Sequence, residues 1–211
     1  MLEKHQQWED RLLPSLMDTI NYLIKEMPEN GVLYDVGANT GLLTQKVIEQ
    51  RPDVTCVLFE PVNEYYNIID EKFRYNPKVI FFNCALLDAI GTSNISKHGD
   101  NLGYNTITGL DDYGDKEEIQ CRTLTSIQNE YKFSKPDIIK VDVEQSESYF
   151  IEGCKGMFET YTPSQIIMEI GISNVHPLWE KEKGMIEYLF SLGYKRFDYD
   201  KNHTFDAIFK K

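Results

Sequence analysis

The segment VLYDVGANTG, Val32–Gly41, constrains the fold of this chain more than any other stretch. An apolar run ends in the acid Asp35, and a turn containing Gly37, Asn39 and Gly41 leads into a helix-like stretch. Glycine lets a chain turn sharply and lets backbone approach a ligand without an intervening Cβ. A strand, a tight glycine turn and a helix, in this order, are typical of α/β proteins that bind a nucleotide.

A second acid, Glu60, closes the next apolar run, Thr55–Phe59. It follows Gly41 at close to the spacing of about 20 residues at which an acid binds ribose hydroxyls. An ordinary β–α turn capped by Asn39 or Thr40 is the alternative. Because turn, strand and acid agree, the pattern predicts a site for a ribose-containing cofactor.

The turn differs from the dinucleotide fingerprint G-x-G-x-x-G, since Asn39 stands at the second glycine and the third glycine is shifted. A pyrophosphate needs bare backbone N–H groups at a helix N-terminus, and the carboxylate of Asp35 would repel it. The same carboxylate suits a cation. S-adenosylmethionine (SAM) carries a sulfonium and an ammonium but no phosphate. The pattern therefore favours SAM, and it disfavours an NAD(P)-dependent oxidoreductase.

Composition limits the classes of partner. The 211 residues are 41% hydrophobic and 27% charged, which predicts one domain, 1–211, with a sizeable core. A net charge of −12 argues against binding nucleic acid or an anionic membrane. No apolar run reaches the roughly 20 residues that span a bilayer. The polar N-terminus, without a visible signal peptide, and four scattered cysteines predict free thiols and a cytoplasmic location.

Hydrophobic periodicity predicts alternating strands and helices, and hence a parallel sheet with right-handed crossovers. Within an amino-terminal helical segment, 1–31, a helix is predicted from Pro14 to Met27. The predicted strands are Val32–Val36, Val54–Phe59, Lys78–Ala85, Asp137–Val143 and Gln165–Ile170, and the predicted helices are Leu42–Gln50, Val62–Tyr75, Ser146–Phe158 and Lys183–Leu192. Tyr194–Tyr199 and Thr204–Phe209 are expected to close the fold as an antiparallel pair around a polar turn, Asp200–Asn202, with Gly193 as the preceding C-cap.

Residues 87–118 break this rhythm. They are rich in Gly, Asp, Asn, Ser and Thr, and they are too many for a simple connection. The segment NLGYNTIT, Asn101–Thr108, lies inside. We interpret residues 87–118 as a lid or insert over the substrate, with a mobile surface excursion as the alternative. A short strand, Ile119–Leu124, is predicted to follow.

Four segments, in this order, resemble the FkbM family of SAM-dependent methyltransferases. They are VLYDVGANTG (Val32–Gly41), FEP (Phe59–Pro61), RTLTSI (Arg122–Ile127) and IIKVDVEQSE (Ile138–Glu147), with IIMEIG (Ile166–Gly171) as a weaker fifth. The run K-V-D-V-E in the fourth segment makes the resemblance specific. Thr125 stands where the family usually has Asp, and Gln145 where it usually has glycine. If that glycine needs a positive φ, Gln145 implies a local change of turn.

The resemblance implies a Rossmann-like class I methyltransferase fold, a three-layer αβα sandwich around a seven-stranded, mostly parallel sheet whose last strand is antiparallel. It also implies O-methylation of a hydroxyl on a sugar, glycan or secondary metabolite, with a small-molecule or glycan acceptor. Two alternatives stay open. One is N- or C-methylation on the same scaffold, and the other is a SAM-fold protein that binds without catalysing. A homodimer through the helix Pro14–Met27 is a further hypothesis.

Ligands of open α/β sheets bind at the carboxyl ends of the strands. The glycine turn should therefore surround the methionine half of SAM, the acid after the second strand should bind the ribose, and the end of the third strand should border the adenine. The predicted cofactor-binding residues are Asp35, Gly37, Asn39, Gly41, Glu60, Pro61, Cys84, Ala85, Leu86 and Asp142.

Removing the proton of an unactivated hydroxyl calls for a base or a metal ion. Asp142 and Glu144 follow the fourth strand, and two carboxylates so close repel, which raises one pKa. Alternatively, Asp142 orients SAM, while Glu144 pairs with Lys140 or caps the next helix. Glu169 is a lone acid in an apolar strand. His176, after the fifth strand, is a candidate base or a rim histidine.

Two further interpretations concern the surroundings of these acids. Asp142, Glu144 and Glu169 together could hold a divalent cation such as Mg²⁺ through oxygen ligands, although no ligand spacing is diagnostic. Tyr104 and Trp179 could form a wall of a substrate pocket, with plain packing as the alternative.

Overall fold

The computed structural model describes residues 2–97, 105–107, 115–170, 175–198 and 206–211. The helices in these ranges are α1 Leu2–Glu26, α2 Leu42–Gln50, α3 Asn63–Phe73, α4 Leu124–Tyr131, α5 Glu147–Phe158 and α6 Trp179–Ser191. The strands are β1 Val32–Val36, β2 Thr55–Phe59, β3 Val79–Phe82, β4 Ala85–Leu86, β5 Gly91–Lys97, β6 Asn105–Thr106, β7 Asp115–Arg122, β8 Ile138–Val141, β9 Gln165–Glu169, β10 Lys195–Asp198 and β11 Asp206–Lys210.

Seven strands form the main sheet in the order β10-β11-β9-β8-β1-β2-β3. Strands β3, β2, β1, β8 and β9 pair in parallel, and β11 is antiparallel to both of its neighbours. This topology confirms the predicted α/β fold with a mostly parallel sheet and an antiparallel last strand. The predicted turn Asp200–Asn202 lies outside the described residues, while Gly193 has the left-handed φ of 92° expected at the end of α6.

Helices cover both faces of the main sheet, so successive side chains of a strand enter different cores. Tyr34 and Ile139 belong to the core that also contains residues of α4, α5 and α6. Leu33 and Ile138 belong to the core shared with α1, α2 and α3. By this alternation, the side chains of Asp35, Lys140 and Glu169 lie on the face covered by α1, α2 and α3, at the carboxyl ends of their strands.

A second sheet, in the order β4-β7-β5-β6, forms mainly from residues 87–118, for which the sequence predicted no strand. Strands β5 and β7 pair antiparallel from Gly91 opposite Cys121 to Lys97 opposite Asp115. The prediction of an irregular segment over 87–118 is therefore wrong at both of its ends. Apolar side chains are sparse here: Ile95 and Ile119 pack inward, while most of the remaining residues of β5 and β7 are polar. Residues 101–104 and 108 of NLGYNTIT lie outside the described residues.

Two predicted boundaries also need correction because tertiary contacts determine where these elements begin and end. Main-sheet strand β3 ends at Phe82, and Ala85 pairs with Cys121 in the second sheet instead of extending β3. Helix α6 begins at Trp179, one turn earlier than predicted.

Helix α1 begins at Leu2, so the prediction that Pro14 occupies the first helical turn is wrong. Pro14 lies inside the helix on an exposed position, where its ring faces solvent and only one backbone hydrogen bond is lost. Contacts on both sides of it hold the helix: Ile20 and Leu23 are fully buried in the core, and His5 is buried at the other end.

Among the described residues, no helix is long and apolar enough to span a bilayer.

Candidate active site

A cavity of about 400 Å³ opens at the carboxyl ends of β1, β2, β8 and β9, a volume typical of a small-molecule site. Its floor is the glycine turn and the strand ends, and its walls come from α1 and the second sheet. The polar residues that line it are Ser15, Asp35, Asn39, Thr40, Glu60, Lys140, Asp142, Glu144 and Glu169.

The glycine turn is shaped by close packing against two other segments. Gly37 has φ 76°, and a Cβ there would lie 1.9 Å from the backbone oxygen of Asp142, so no other residue fits. Gly41 has φ 75°, and its Cβ would lie 2.7 Å from the ring of Phe73 on α3. Asn39, between them, also adopts a left-handed conformation, φ 52°. The turn therefore presents backbone to the cavity, while Gly41 itself packs on α3 and does not line the cavity.

Asp35 is buried at the end of β1, with 1% of its surface exposed. Burial raises its pKa, while Lys140 and the hydroxyl of Thr44 lower it. That hydroxyl donates to Asp35 Oδ2 at 2.7 Å. Lys140, itself 4% exposed, donates through Nζ to Asp142 Oδ2 at 2.8 Å. A single ammonium therefore stabilises the carboxylates at the ends of β1 and β8.

Glu60 joins the end of β2 to the glycine turn. Its Oε2 accepts a hydrogen bond from the backbone N–H of Asn39 at 2.8 Å, and its Oε1 accepts one from that of Val62 at 2.9 Å. Burial raises the pKa of Glu60 to about 8, although these bonds oppose the shift. The carboxyl lies beside Pro61 on the cavity wall, at the position predicted for a ribose-binding acid.

Three carboxyls, those of Asp142, Glu144 and Glu169, lie together at the end of the cavity formed by β8 and β9. Burial, followed by repulsion from Asp142, Glu169 and Glu147, raises the pKa of Glu144 to about 8. Glu147 is buried behind them, and burial likewise raises its pKa to about 8. A carboxyl whose pKa lies near neutrality is suited to act as a general base.

The turn that carries Glu144 has an unusual backbone. Glu144 and Gln145 both have positive φ, 48° and 72°. The expectation that Gln145 changes the turn is therefore wrong, because Gln145 keeps the left-handed conformation in which glycine would be favoured. Left-handed geometry costs a non-glycine residue roughly 1–2 kcal/mol, and such strain is concentrated at functional sites. A hydrogen bond from the N–H of Val143 to Glu147 Oε1, at 3.2 Å, supports the turn.

The structure does not bring His176 into this cavity. Its Nδ1 accepts a hydrogen bond from the N–H of Leu178 at 3.2 Å, and it does not line the cavity. Trp179, at the start of α6, lines a separate cleft of about 460 Å³ with Ile170 and Arg196. Tyr104 lies outside the described residues.

In the ranges that the structure describes, no group of three or more His, Cys, Asp or Glu side chains is arranged to hold a metal ion. The three carboxyls at the end of the cavity therefore add no support to the divalent cation considered from the sequence.

Nine of the ten predicted cofactor residues line the cavity: Asp35, Gly37, Asn39, Glu60, Pro61, Cys84, Ala85, Leu86 and Asp142. Sequence reasoning missed the wall that α1 forms, since Trp8, Leu12 and Leu16 line the cavity. Ile95 and Ile107, from the segment 87–118 that was interpreted as a lid or insert, line it as well. The spacing of four residues between Trp8, Leu12 and Leu16 is typical of one face of a helix, so this face could have been predicted from the sequence.

Comparison with known families gives one match over most of the chain. A family model described as a methyltransferase FkbM domain matches residues 35–196. The antimetabolite synthetase AmbE of Pseudomonas aeruginosa is 31% identical over 90 residues, 42% of this chain, but the chain spans only 4% of that protein. The methyltransferase sdnD of Sordaria araneosa is 24% identical over 190 residues, covering 71% of this chain and 73% of that protein.

Solved structures show the same fold at low identity. A proposed caffeoyl-CoA O-methyltransferase from Staphylococcus aureus has 10% identity and a TM-score of 0.54, covering 100% of this chain and 97% of that one. Fibrillarin from Aeropyrum pernix, in complex with natively bound SAM, has 11% identity and a TM-score of 0.51, covering 86% and 66%. These likenesses identify a Rossmann-like class I methyltransferase fold.

Proposed function

Because the chain belongs to the FkbM family of SAM-dependent methyltransferases, we propose that it methylates a hydroxyl of a sugar, glycan or secondary metabolite. The observation that carries the proposal is the composition of the cavity. Its backbone turn, the buried acid Glu60 and an excess of carboxyls suit a ribose-containing cation.

The charge of the cavity supports SAM as the cofactor. Among the described residues that line it, five are acids and one, Lys140, is basic. Such a lining offers a pyrophosphate one positive side chain, whereas a bound sulfonium and ammonium would favour the ionised form of these carboxyls. Glu60 accepts hydrogen bonds from ribose hydroxyls, and Ala85 and Leu86 provide an apolar surface for adenine. When bound, SAM supplies a methyl group that its sulfonium activates.

Glu144 removes the proton of the acceptor hydroxyl. Its support is a pKa of about 8, which leaves a useful fraction ionised near neutrality and makes the carboxylate more basic than an ordinary one. Asp142 pairs with Lys140 and orients the reactants. Glu169, whose charge raises the pKa of Glu144, completes the acidic end of the cavity.

The acceptor is neutral or cationic. The segments on either side of Ile107, residues 98–104 and 108–114, contain three Asp and one His but no Lys or Arg, and residues 171–174 contain no charged residue. The chain thus offers a phosphorylated or otherwise anionic acceptor little positive charge, in keeping with its net charge of −12. Nucleic acids and anionic membranes are disfavoured for the same reason.

Calorimetric titration with S-adenosylhomocysteine, SAM and NAD tests the cofactor. We expect micromolar binding of the first two and none of NAD. Binding should be lost in Asp35→Ala and Glu60→Ala and weakened in Asp35→Asn and Glu60→Gln, whereas Glu118→Ala on the exposed face of the second sheet binds normally. Circular dichroism confirms that each variant is folded. Binding of NAD without SAM would overturn the proposal.

Turnover is then measured with matched acceptors that differ by one phosphate group, with and without magnesium. Methylation of the neutral acceptor and not of its phosphate ester is the expected result. Preference for the phosphorylated acceptor would contradict the assignment of acceptor charge, and a methylated nitrogen or carbon in the product would replace O-methylation by one of its alternatives.

A further inference from the structure

Helix α1 covers the cofactor cavity although it lies outside the segment that the family model matches, which begins at residue 35. Trp8, Leu12, Ser15 and Leu16 of this helix line the cavity. The inference that follows rests on the proposed cofactor, and it concerns how that cofactor is enclosed.

Trp8 packs at the end of the cavity where the adenine is expected. It contacts the apolar cluster that contains Val62 and Ala85. Val62 follows Glu60, the proposed ribose-binding acid, and Ala85 lies in β4, shortly after the end of β3. Ile95 of β5 belongs to the same cluster, and Ile107, just after β6, packs against it. This end is therefore apolar on several sides, with an indole ring as one of its surfaces.

The amino-terminal half of α1 is fastened to the cofactor turn itself. Glu9, 7% exposed, accepts a hydrogen bond from Thr40 Oγ1 at 2.5 Å, and Lys72 Nζ lies 2.7 Å from the same Glu9 oxygen. Thr40 belongs to the glycine turn. Nearer the helix start, His5 Nε2 lies 3.0 Å from Glu64 Oε1 on α3. These bonds join α1 to the glycine turn and to α3.

Pro14 separates this half from the half that is embedded in the core. Beyond it, Ile20 and Leu23 are fully buried against the main sheet. Proline has no N–H to donate to the carbonyl of residue 10, so the helix is weakest at this point. Opening of the fastened half would therefore leave the core intact.

We propose that residues 2–13 form a cap on the cofactor cavity, in which Trp8 packs against the adenine ring and Glu9 latches the cap to the glycine turn. Stacking of an aromatic side chain on a base contributes substantially to binding. Because the cap closes the adenine end, cofactor enters and leaves when the latch opens. Trp8 therefore sets affinity, and Glu9 sets the rate of exchange.

Calorimetry with two probes, S-adenosylhomocysteine and adenosine, tests the role of Trp8. We expect Trp8→Ala to weaken both by on the order of tenfold, since both contain the adenine, and Trp8→Phe to retain most of the affinity. Trp179→Ala, which changes the other tryptophan of the chain, is the matched control and should bind both probes as the unaltered protein does.

Fluorescence tests the latch. In a Trp179→Phe background, Trp8 is the sole tryptophan, and its emission should change on adding S-adenosylhomocysteine. Adding Glu9→Ala should speed dissociation of this probe several-fold, whereas Glu49→Ala, an acid of α2 that pairs with Lys46 on the surface, should not. Circular dichroism confirms folding. If Trp8→Ala does not fold, Trp8→Leu replaces it in the calorimetry, because leucine keeps an apolar side chain but has no ring to stack on the adenine.

The outcomes separate the cap from the proposed function. If the unaltered protein binds S-adenosylhomocysteine while Trp8→Ala binds it equally well, or if Trp8 emission does not respond to bound probe, the cap is wrong and the cofactor stands. If the unaltered protein binds neither S-adenosylhomocysteine nor SAM, both proposals fall.

Discussion

Glu144 is half-buried among other acids, and this environment makes cofactor binding depend on pH. Its neighbours are Asp142, Glu169 and Glu147, with Lys140 as the opposing charge, and its pKa is raised to about 8. A carboxyl with a raised pKa keeps its proton over the range in which an ordinary glutamic acid is ionised. A cation bound beside it therefore displaces that proton, and the displacement costs free energy below pH 8.

We predict that the affinity for SAM rises between pH 6 and about pH 8, by up to about tenfold per pH unit. Above about pH 8 the affinity should be constant. S-adenosylhomocysteine lacks the sulfonium, so its affinity should change less. Glu144→Gln should reduce the difference between the two ligands, and Glu152→Gln, an exposed acid on α5, should leave it unchanged. Titration calorimetry across this range is the measurement, and equal pH profiles for the two ligands would count against the assignment.

Gln145 offers a second test at the scale of one residue, because it holds φ 72° without being glycine. Gln145→Gly should raise the free energy of unfolding by about 1 kcal/mol, since glycine relieves left-handed strain that exceeds its own entropic cost. Gln45→Gly, in the regular helix α2, should lower it by about 1 kcal/mol. Urea denaturation measures both, and destabilisation by Gln145→Gly would show that side-chain contacts of Gln145 outweigh the strain.

At the scale of elements, the contact between the glycine turn and the end of β8 decides how the site is built. A Cβ on Gly37 would lie 1.9 Å from the backbone oxygen of Asp142, and backbone cannot move aside without separating β1 from β8. Gly184 is the matched case, because it lies within α6 with open space around its Cα.

Gly37→Ala should therefore destabilise the protein by about 3 kcal/mol or more, through overpacking and an unfavourable φ. Gly184→Ala should stabilise it by roughly 0.5–1 kcal/mol, since alanine is the better helix former. Thermal and urea unfolding compare the two variants. If Gly37→Ala proves as stable as Gly184→Ala, β8 does not pack as closely on the turn as the structure indicates.

Elements differed in how far local sequence could identify them. Val32–Val36 and Leu42–Gln50 were predicted with the observed bounds, because an apolar run, a glycine turn and a helical period follow one another without interruption. The second sheet was missed since β5 is largely polar, and only pairing with β7 makes it a strand. The start of α1 was misplaced because a proline reads as a first-turn residue, whereas contacts with α3 and the glycine turn extend the helix past it.

For the whole molecule, the cavity links the main sheet, α1 and the second sheet, so an occupying ligand should stabilise all three together. At a concentration one hundred times its dissociation constant, S-adenosylhomocysteine should add about 2.7 kcal/mol to the free energy of unfolding. For a chain of this size that corresponds to a rise of roughly 5–10 °C in the melting temperature. Differential scanning calorimetry measures this rise in melting temperature, which should be absent in Asp35→Ala. A second unfolding transition whose temperature does not change with ligand would show that part of the molecule unfolds independently of the site.

The sequence by itself determined the family, the mostly parallel sheet, and the acids and glycine-turn residues that line the cavity at the strand ends. It could do so because these depend on short local patterns: a glycine turn, an acid at a set distance, and strands whose ends must meet at one edge of a sheet. Tertiary structure alone decided the surroundings of that site. The burial of Glu144, which contributes most to its raised pKa, depends on contacts between residues far apart in the chain. So do the packing of Trp8 against the cluster of Val62 and Ala85 and the position of His176 outside the cavity. No local pattern encodes such distances.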